Sequence, residues 1–280
     1  MQRQLISFDW ALKKLLRNKA NFDILEGFLS ELLFQDLKII QILESESNQE
    51  NHFDKQNRVD LLVENTENEL LIIEIQYETE HDYLQRILYG TSKVIIENME
   101  RGMPYSKIKK VFSISILYFD LGQGKDYIYK GTTNFVGLHY QDVLQLNQSQ
   151  RDLYKNKEVF QLFPEYYLIK VNNFNQIAEN TLDEWIHFLK NEEIKPEFRA
   201  KGIQKAKEEF NIFKMSKQEQ QNYKRYLGDL SYEASMHESS YVVGQLETQI
   251  KIAKAMKAEG ISNELIEKLT GLTKERIEKL

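Results

Sequence analysis

Apolar positions along the chain change period once, and that change divides it. Over residues 8–40, Phe8, Leu12, Leu15 and Leu16, then Ile24, Leu25, Phe28, Leu29, Leu32 and Leu33, fall at i, i+3, i+4 spacing. This predicts helix, with Asn21 or Asp23 opening a second one. Segment 44–57 is poor in apolar residues and reads as a loop. Arg58–Glu64 (RVDLLVE) and Leu70–Tyr77 (LLIIEIQY) are then short and apolar-rich, with turn residues 65–69 between them. That is the pattern of a β-hairpin. An amphipathic helix over His81–Gly102, a third strand over Val111–Asp120 and further strands over Asp126–Lys130 and Thr132–His139 follow. From about Leu146 onward nearly everything reads as helical, with a clear amphipathic helix over Thr181–Asn191. A long charged helical region covers 198–257, with breaks expected near Gly228 and Gly244. The order predicts an α/β or α+β core over about residues 1–145. Helices complete that domain to residue 200, and a charged helical C-terminal arm occupies 201–280.

The hairpin carries the candidate chemistry. A turn centred on Glu67 pairs residues whose numbers sum to about 134, so Asp60 falls opposite Glu74. Alternation puts Asp60, Leu62 and Glu64 on one face, with Leu70, Ile72, Glu74 and Gln76 on the matching face. Two carboxylates across a ladder repel, and apolar neighbours raise the cost by removing water. One remedy is a cation: carboxylate oxygens are the hard ligands Mg²⁺ prefers. Gln76 points the same way and can orient a water or a phosphate oxygen. The arrangement suits metal-assisted phosphodiester hydrolysis. The plainer reading is an edge solvated on one side, with Arg58 or Lys93 as salt-bridge partners.

Composition narrows the classes. The 280 residues contain no Cys, which excludes disulfides, thiolate zinc sites and a cysteine nucleophile. The five His are scattered without metal-ligand spacing, and neither GxxxxGK[ST] nor GxGxxG occurs. Apolar runs are too short for a membrane span and the start shows no signal-peptide core, so a cytoplasmic protein is expected. The net charge of −6 argues at first against a nucleic-acid partner. It is unevenly spread: residues 41–80 carry eleven acids against two bases, while residues 1–19 are net +4 and 195–225 net +5. The acidity is concentrated where a cation would be required.

Several segments together are more specific than the acid pair. Arg58-Val-Asp60-Leu-Leu-Val-Glu64-Asn65 followed by Ile72-Ile-Glu74-Ile-Gln76 resembles the PD-(D/E)XK nuclease-like family of recombination-promoting nucleases and transposases. The similarity continues through Asp82–Lys93, Tyr118–Gly122, Gly137–His139, Phe163–Tyr167 and Leu182–Trp185, covering most of residues 8–200. It implies a restriction-endonuclease-like αβββαβ core with a helical extension. By family pattern Asp60 and Glu74 bind the metal, Mg²⁺ with Mn²⁺ as a substitute. Gln76 stands where many relatives have the motif lysine, and it cannot supply that positive charge. Asp9, in Phe8-Asp9-Trp10, matches the first-helix acid of the family; otherwise it is a helix-start or surface acid. Gln85 shares a helix face with Tyr89 and Lys93. In cores of this kind that helix flanks the active site, which makes Gln85 a phosphate or water ligand, unless the three form a solvated stripe. Arg86 contacts phosphate or pairs with Asp82.

At the C-terminus, Ser262–Leu269 and Thr273–Leu280 read as two short helices around Gly271, like a helix-turn-helix. The second is charge-balanced, so packing or homo-oligomerisation through the C-terminal helices competes with DNA reading. The bases of 195–225 attract phosphate or form a solvated face. The expected function is a Mg²⁺-dependent DNA endonuclease linked to recombination or transposition. The competing one is a catalytically reduced DNA-binding or protein-interaction module that keeps the fold.

Overall fold

The structure, a computed structural model, describes residues 4–43, 60–155 and 157–280, with the side chain of Phe213 left aside. The expected loop over 44–57 and Arg58 lie outside these residues. In chain order the elements are α1 (Phe8–Lys14), α2 (Phe22–Leu33), β1 (Ile39–Leu43), β2 (Leu61–Asn65), β3 (Leu70–Gln76) and α3 (Tyr83–Glu97). Then come β4 (Val111–Leu117), β5 (Ile128–Gly131), α4 (Gln148–Leu153), β6 (Glu165–Lys170), α5 (Thr181–Asn191) and α6 (Ile203–Glu209). The chain ends with α7 (Lys217–Ala258), α8 (Asn263–Thr270) and α9 (Lys274–Glu278). Two compact units result, Met1–Lys214 and Met215–Leu280.

The first unit is built on one six-stranded sheet in the order β1-β2-β3-β4-β6-β5. β2 runs antiparallel to both its neighbours, β1 and β3; β3, β4 and β6 run parallel, and β5 returns antiparallel on β6. The hairpin register follows the sequence expectation: Leu61 faces Ile73 and Leu62 faces Ile72. Its turn is fixed by the Asn65 side chain, whose Oδ1 accepts from the backbone N–H groups of Glu67 and Glu69. The helix α3 crosses over between β3 and β4, as a parallel pair requires. Its Val94 joins Leu62, Leu70, Ile72 and Val111 in one cluster, while Tyr83 and Ile87 join Leu117 and Phe119 in another. Residues of the other sheet face, Leu71, Ile73, Ile114, Ile116 and Ile169, are buried as well. Helices α1, α2 and α5 meet through edge-to-face contacts of Phe8, Phe28, Trp185 and Phe188.

Four expectations need correction. Residues 39–43 form β1 on the sheet edge rather than the end of a helical stretch, and α2 stops at Leu33. Of the two strands expected around Gly131 only β5 forms; over 132–139 there is a single isolated bridge, Val136 to Val143. Glu165–Lys170 lies in a region read as helical, yet it is β6, paired in parallel with β4. Finally, α7 runs unbroken through Gly228 and Gly244, and the interruption falls at 210–216, where Ser216 caps α7 with its side chain on Glu219 N–H. An exposed glycine weakens a helix by only about 1 kcal/mol, which a long helix absorbs.

The second unit ends in three packed helical segments. Ala253 of α7, Ile266 of α8, Leu272 and Ile277 of α9 are buried together. Ser262 caps α8, and Gly271 takes the left-handed conformation that turns the chain into α9. No helix among the described residues is long and apolar enough to cross a membrane.

Candidate active site

Asp60 lies just ahead of β2, and its side chain extends the ladder that its backbone does not: Oδ2 accepts the N–H of Ile75 at 2.7 Å. Its carbonyl is held by Arg17 Nη2 at 2.8 Å, which ties the carboxylate to the turn after α1. Glu74 stands near the end of β3 on the α3 face and is 6% exposed. Tyr83, fully buried in the first turn of α3, donates to Glu74 Oε2 at 3.4 Å. Burial, then the charge of Asp60, push the Glu74 carboxyl up to about 7, against the opposing charge of Arg86. Asp60 is also raised, by burial first, with the Ile75 N–H and Lys13 working against the rise. Burial is the first cause in both, and the charge of Asp60 adds to the rise of Glu74.

The remaining candidates are placed unequally. Asp9 is 2% exposed in α1, and Lys13 one turn on reaches its Oδ1 at 2.9 Å. Its charge raises the Asp60 carboxyl, so Asp9 belongs to the same electrostatic neighbourhood. Among the described residues, however, no three Asp, Glu or His side chains gather into a metal-holding cluster. Gln76 is half-buried at the end of β3, and its Nε2 donates to the Glu78 carbonyl at 3.3 Å. Gln85 and Tyr89 are exposed on α3, and Lys93 pairs with Glu97 at 3.7 Å rather than with either acid. The helix turns Tyr83 and Arg86 toward Glu74, at i, i+3 spacing, and leaves Gln85 off that face.

Two cations therefore border the acid pair. Arg86 lies 5.7 Å from the Tyr83 ring centre and pairs with Glu80 at 2.6 Å, not with Asp82 as its helical spacing suggests. Burial disfavours its charge, but the bond to Glu80 and the fields of Glu74 and Glu80 raise its pKa on balance. Lys13 acts from the opposite element. Neither Lys13 nor Tyr83 stood out in the sequence, although Asp9-x-x-x-Lys13 and Tyr83-x-x-Arg86 carry the helical spacing that brings them in. Beyond the acids, Tyr77 and Tyr118 stack at 4.5 Å, and the Tyr118 hydroxyl donates to the Leu189 carbonyl, bracing the ends of β3 and β4 against α5.

Carboxylates just ahead of a β-hairpin and on its second strand, with helices before and after, have a counterpart among known families. The description "PD-(D/E)XK nuclease family transposase" matches residues 6–235, well over half of the chain. "Rpn/YhgA-like nuclease family, C-terminal HTH domain" matches residues 246–280, the segment in which α8 and α9 pack around Gly271. No curated protein and no solved structure matches the chain. The fold, the order of its elements and the extent of the match agree: this chain belongs to the PD-(D/E)XK nuclease family of transposases.

Proposed function

We propose that the protein is a Mg²⁺-dependent DNA endonuclease, with Mn²⁺ able to substitute, acting in recombination or transposition. One observation carries this reading. Asp60 and Glu74 are two substantially buried acids on adjoining strands, and among the described residues neither forms an ion pair. Such a pair calls for a counter-charge, and two carboxylates plus water is an ordinary donor set for Mg²⁺. When bound, such an ion lowers the pKa of water and stabilises charge developing on a phosphodiester.

The chain's own groups have separate tasks in this reading. Asp60 and Glu74 hold the cation, and Glu74 gives up its proton as it does so. The Tyr83 hydroxyl and the Ile75 N–H fix the orientation of the two carboxylates. Gln76, at the strand end, positions water or a phosphate oxygen through its amide. Arg86 and Lys13 supply the positive charge that Gln76 cannot. Asp9 holds Lys13 in place and is an auxiliary carboxylate, and Gln85 is a contact for the entering strand from its exposed position on α3. The helix-turn-helix unit recruits DNA.

The purified protein should nick supercoiled plasmid with Mg²⁺ or Mn²⁺. Asp60→Ala and Glu74→Ala should each lower the rate at least about a thousandfold, on the scale expected when a transition-state charge loses its stabiliser. Equal activity in both variants would sink the assignment. Retention of DNA without cleavage, and no heat of Mg²⁺ binding by calorimetry, would instead favour a catalytically reduced binding module.

A further inference from the structure

We propose that the exposed basic end of α1, with the turn that follows it, seats a nucleic-acid phosphate backbone and delivers it to Asp60 and Glu74. The inference rests on the nuclease reading for the identity of the partner. Between Trp10 and Phe22 the chain carries Lys13, Lys14, Arg17 and Lys19 and no acid. All four are exposed. They are also attached to the site: Arg17 holds the carbonyl of Asp60 at 2.8 Å, and the charge of Lys13 reaches the Asp60 carboxyl. Lys14 lies 5.8 Å from the ring centre of the buried Trp10.

The cluster is held rigidly. Ser7 caps α1, while Phe8, Ala11 and Leu12 are buried beneath it. Such anchoring is what a binding surface needs if charge is to be presented at a fixed place. A polyanion approaching two acids is repelled unless cations flank them. Here the flanking cations come from an element that touches one of the acids directly. Among the described residues no acid forms an ion pair with Lys14, Arg17 or Lys19.

The basic run at 195–225 offered the alternative seat, and three of its lysines are engaged elsewhere. Lys201 pairs with Asp36, Lys205 pairs with Asp23 at 2.7 Å, and Lys195 lies over the Phe198 ring. Those bonds fasten the α6 segment to α2 and its flanks. The charge of these three serves the fold, whereas that of the α1 end is exposed beside the site.

The test is anisotropy of a fluorescein-labelled DNA duplex with the full chain, in EDTA, across a salt series. Each phosphate contact contributes about one to the slope of log K against log salt. Lys14→Gln/Lys19→Gln, which spares the Arg17 bond, should flatten the slope by about one to two and weaken binding roughly tenfold. In the cleavage assay the loss should fall on KM rather than kcat. Lys201→Gln/Lys205→Gln should lower the melting temperature and leave the slope unchanged. The contribution of α7–α9 is common to all variants and cancels. A Lys14→Gln/Lys19→Gln protein that melts like the wild type yet keeps its slope and affinity would overturn the proposal. So would a slope lost only with Lys201 and Lys205. If the wild type binds but never cuts, the nuclease reading fails while the slope still decides the seat.

Discussion

Glu74 and Glu165 make a natural pair for comparison. Both are strand glutamates in the parallel part of the sheet, and they are 6% and 5% exposed. Glu165 opens β6, and its carboxylate is held by Lys110 Nζ at 2.9 Å, Lys130 Nζ at 2.8 Å and the Tyr167 hydroxyl at 3.2 Å. Burial pushes its carboxyl up, but the two lysines more than reverse this and hold it below the usual value. Glu74 has a distant phenol and a second acid instead, and its carboxyl rises to about 7. The register relates them: Glu74 lies level with Ser115 and, through it, with Leu168, three residues along from Glu165. The odd offset puts the two glutamates on opposite sheet faces. The same residue at the same burial is thus completed by the chain in one place and left incomplete in the other. In the proposed reading the incomplete one belongs to the site, because an unmet electrostatic demand is what a cation from outside can satisfy.

The largest effect should come from breaking the complete centre. Lys110 is 4% exposed, and its Nζ also donates to the carbonyls of Phe160 and Phe163. Glu165→Ala would leave that cation without its counter-charge, at a cost of about 3 to 5 kcal/mol by urea unfolding. Mg²⁺ binding per folded molecule should not change. A loss below about 1 kcal/mol would mean that the lysines find other partners and the contrast is only apparent.

Glu74→Gln should act in the opposite direction. The folded pKa of about 7 lies above the ordinary 4.5, so the folded state retains a proton that the unfolded chain gives up. In the metal-free protein, stability therefore falls as pH rises from about 4.5 to about 7 and levels off above that, by about 3 kcal/mol at most. The glutamine variant should escape this loss. It should be more stable than wild type at pH 8 in EDTA, equal to it near pH 4, and indifferent to Mg²⁺. Melting curves at the two pH values decide it; a variant less stable than wild type at pH 8 would show that Glu74 is satisfied within the fold.

How much of this was legible in the sequence differs along the chain for physical reasons. The hairpin register could be read because a short polar turn centred on Glu67 joins the two apolar runs, and the turn fixes which residues pair. That register alone placed Asp60 beside Glu74. β6 could not be read: Glu165-Tyr-Tyr-Leu-Ile-Lys170 is short, shows no regular alternation of polarity, and has no tight turn joining it to its partners β4 and β5. A short run of that kind has no period to separate strand from helix. Its leading glutamate resembles a surface residue until Lys110, just ahead of β4, and Lys130 of β5 are brought to it. The same limit applies to Arg86. Its spacing from Asp82 predicted a helical pair, but Asp82 gives α3 only its backbone carbonyl, and Glu80 from the preceding loop takes the guanidinium. Partners distant in sequence were invisible, and those set by strand or helix period were not.

The smallest effect expected concerns that guanidinium and refines the comparison. Arg86 is the cation that faces both acids, lowering Glu74 and Asp60, yet it stands off from them and bonds Glu80. If its role is to moderate the pair without completing it, Arg86→Gln should raise the Glu74 carboxyl further. At pH 7 this leaves more of it protonated, but the lost repulsion acts more strongly on a doubly charged ion than on a proton, so Mg²⁺ affinity should rise several-fold. Stability should change by only about 1 kcal/mol, because the lost bond to Glu80 is partly exposed. Arg86→Lys should return most of the affinity to the wild-type value, as the charge matters more than the fork geometry at that distance. Titration of ¹³C-labelled glutamate carboxyls and calorimetry with Mg²⁺ at pH 7 read the two quantities separately. An unmoved Glu74 titration in Arg86→Gln would confine Arg86 to its pairing with Glu80, and would leave Lys13 to supply the positive charge at the site.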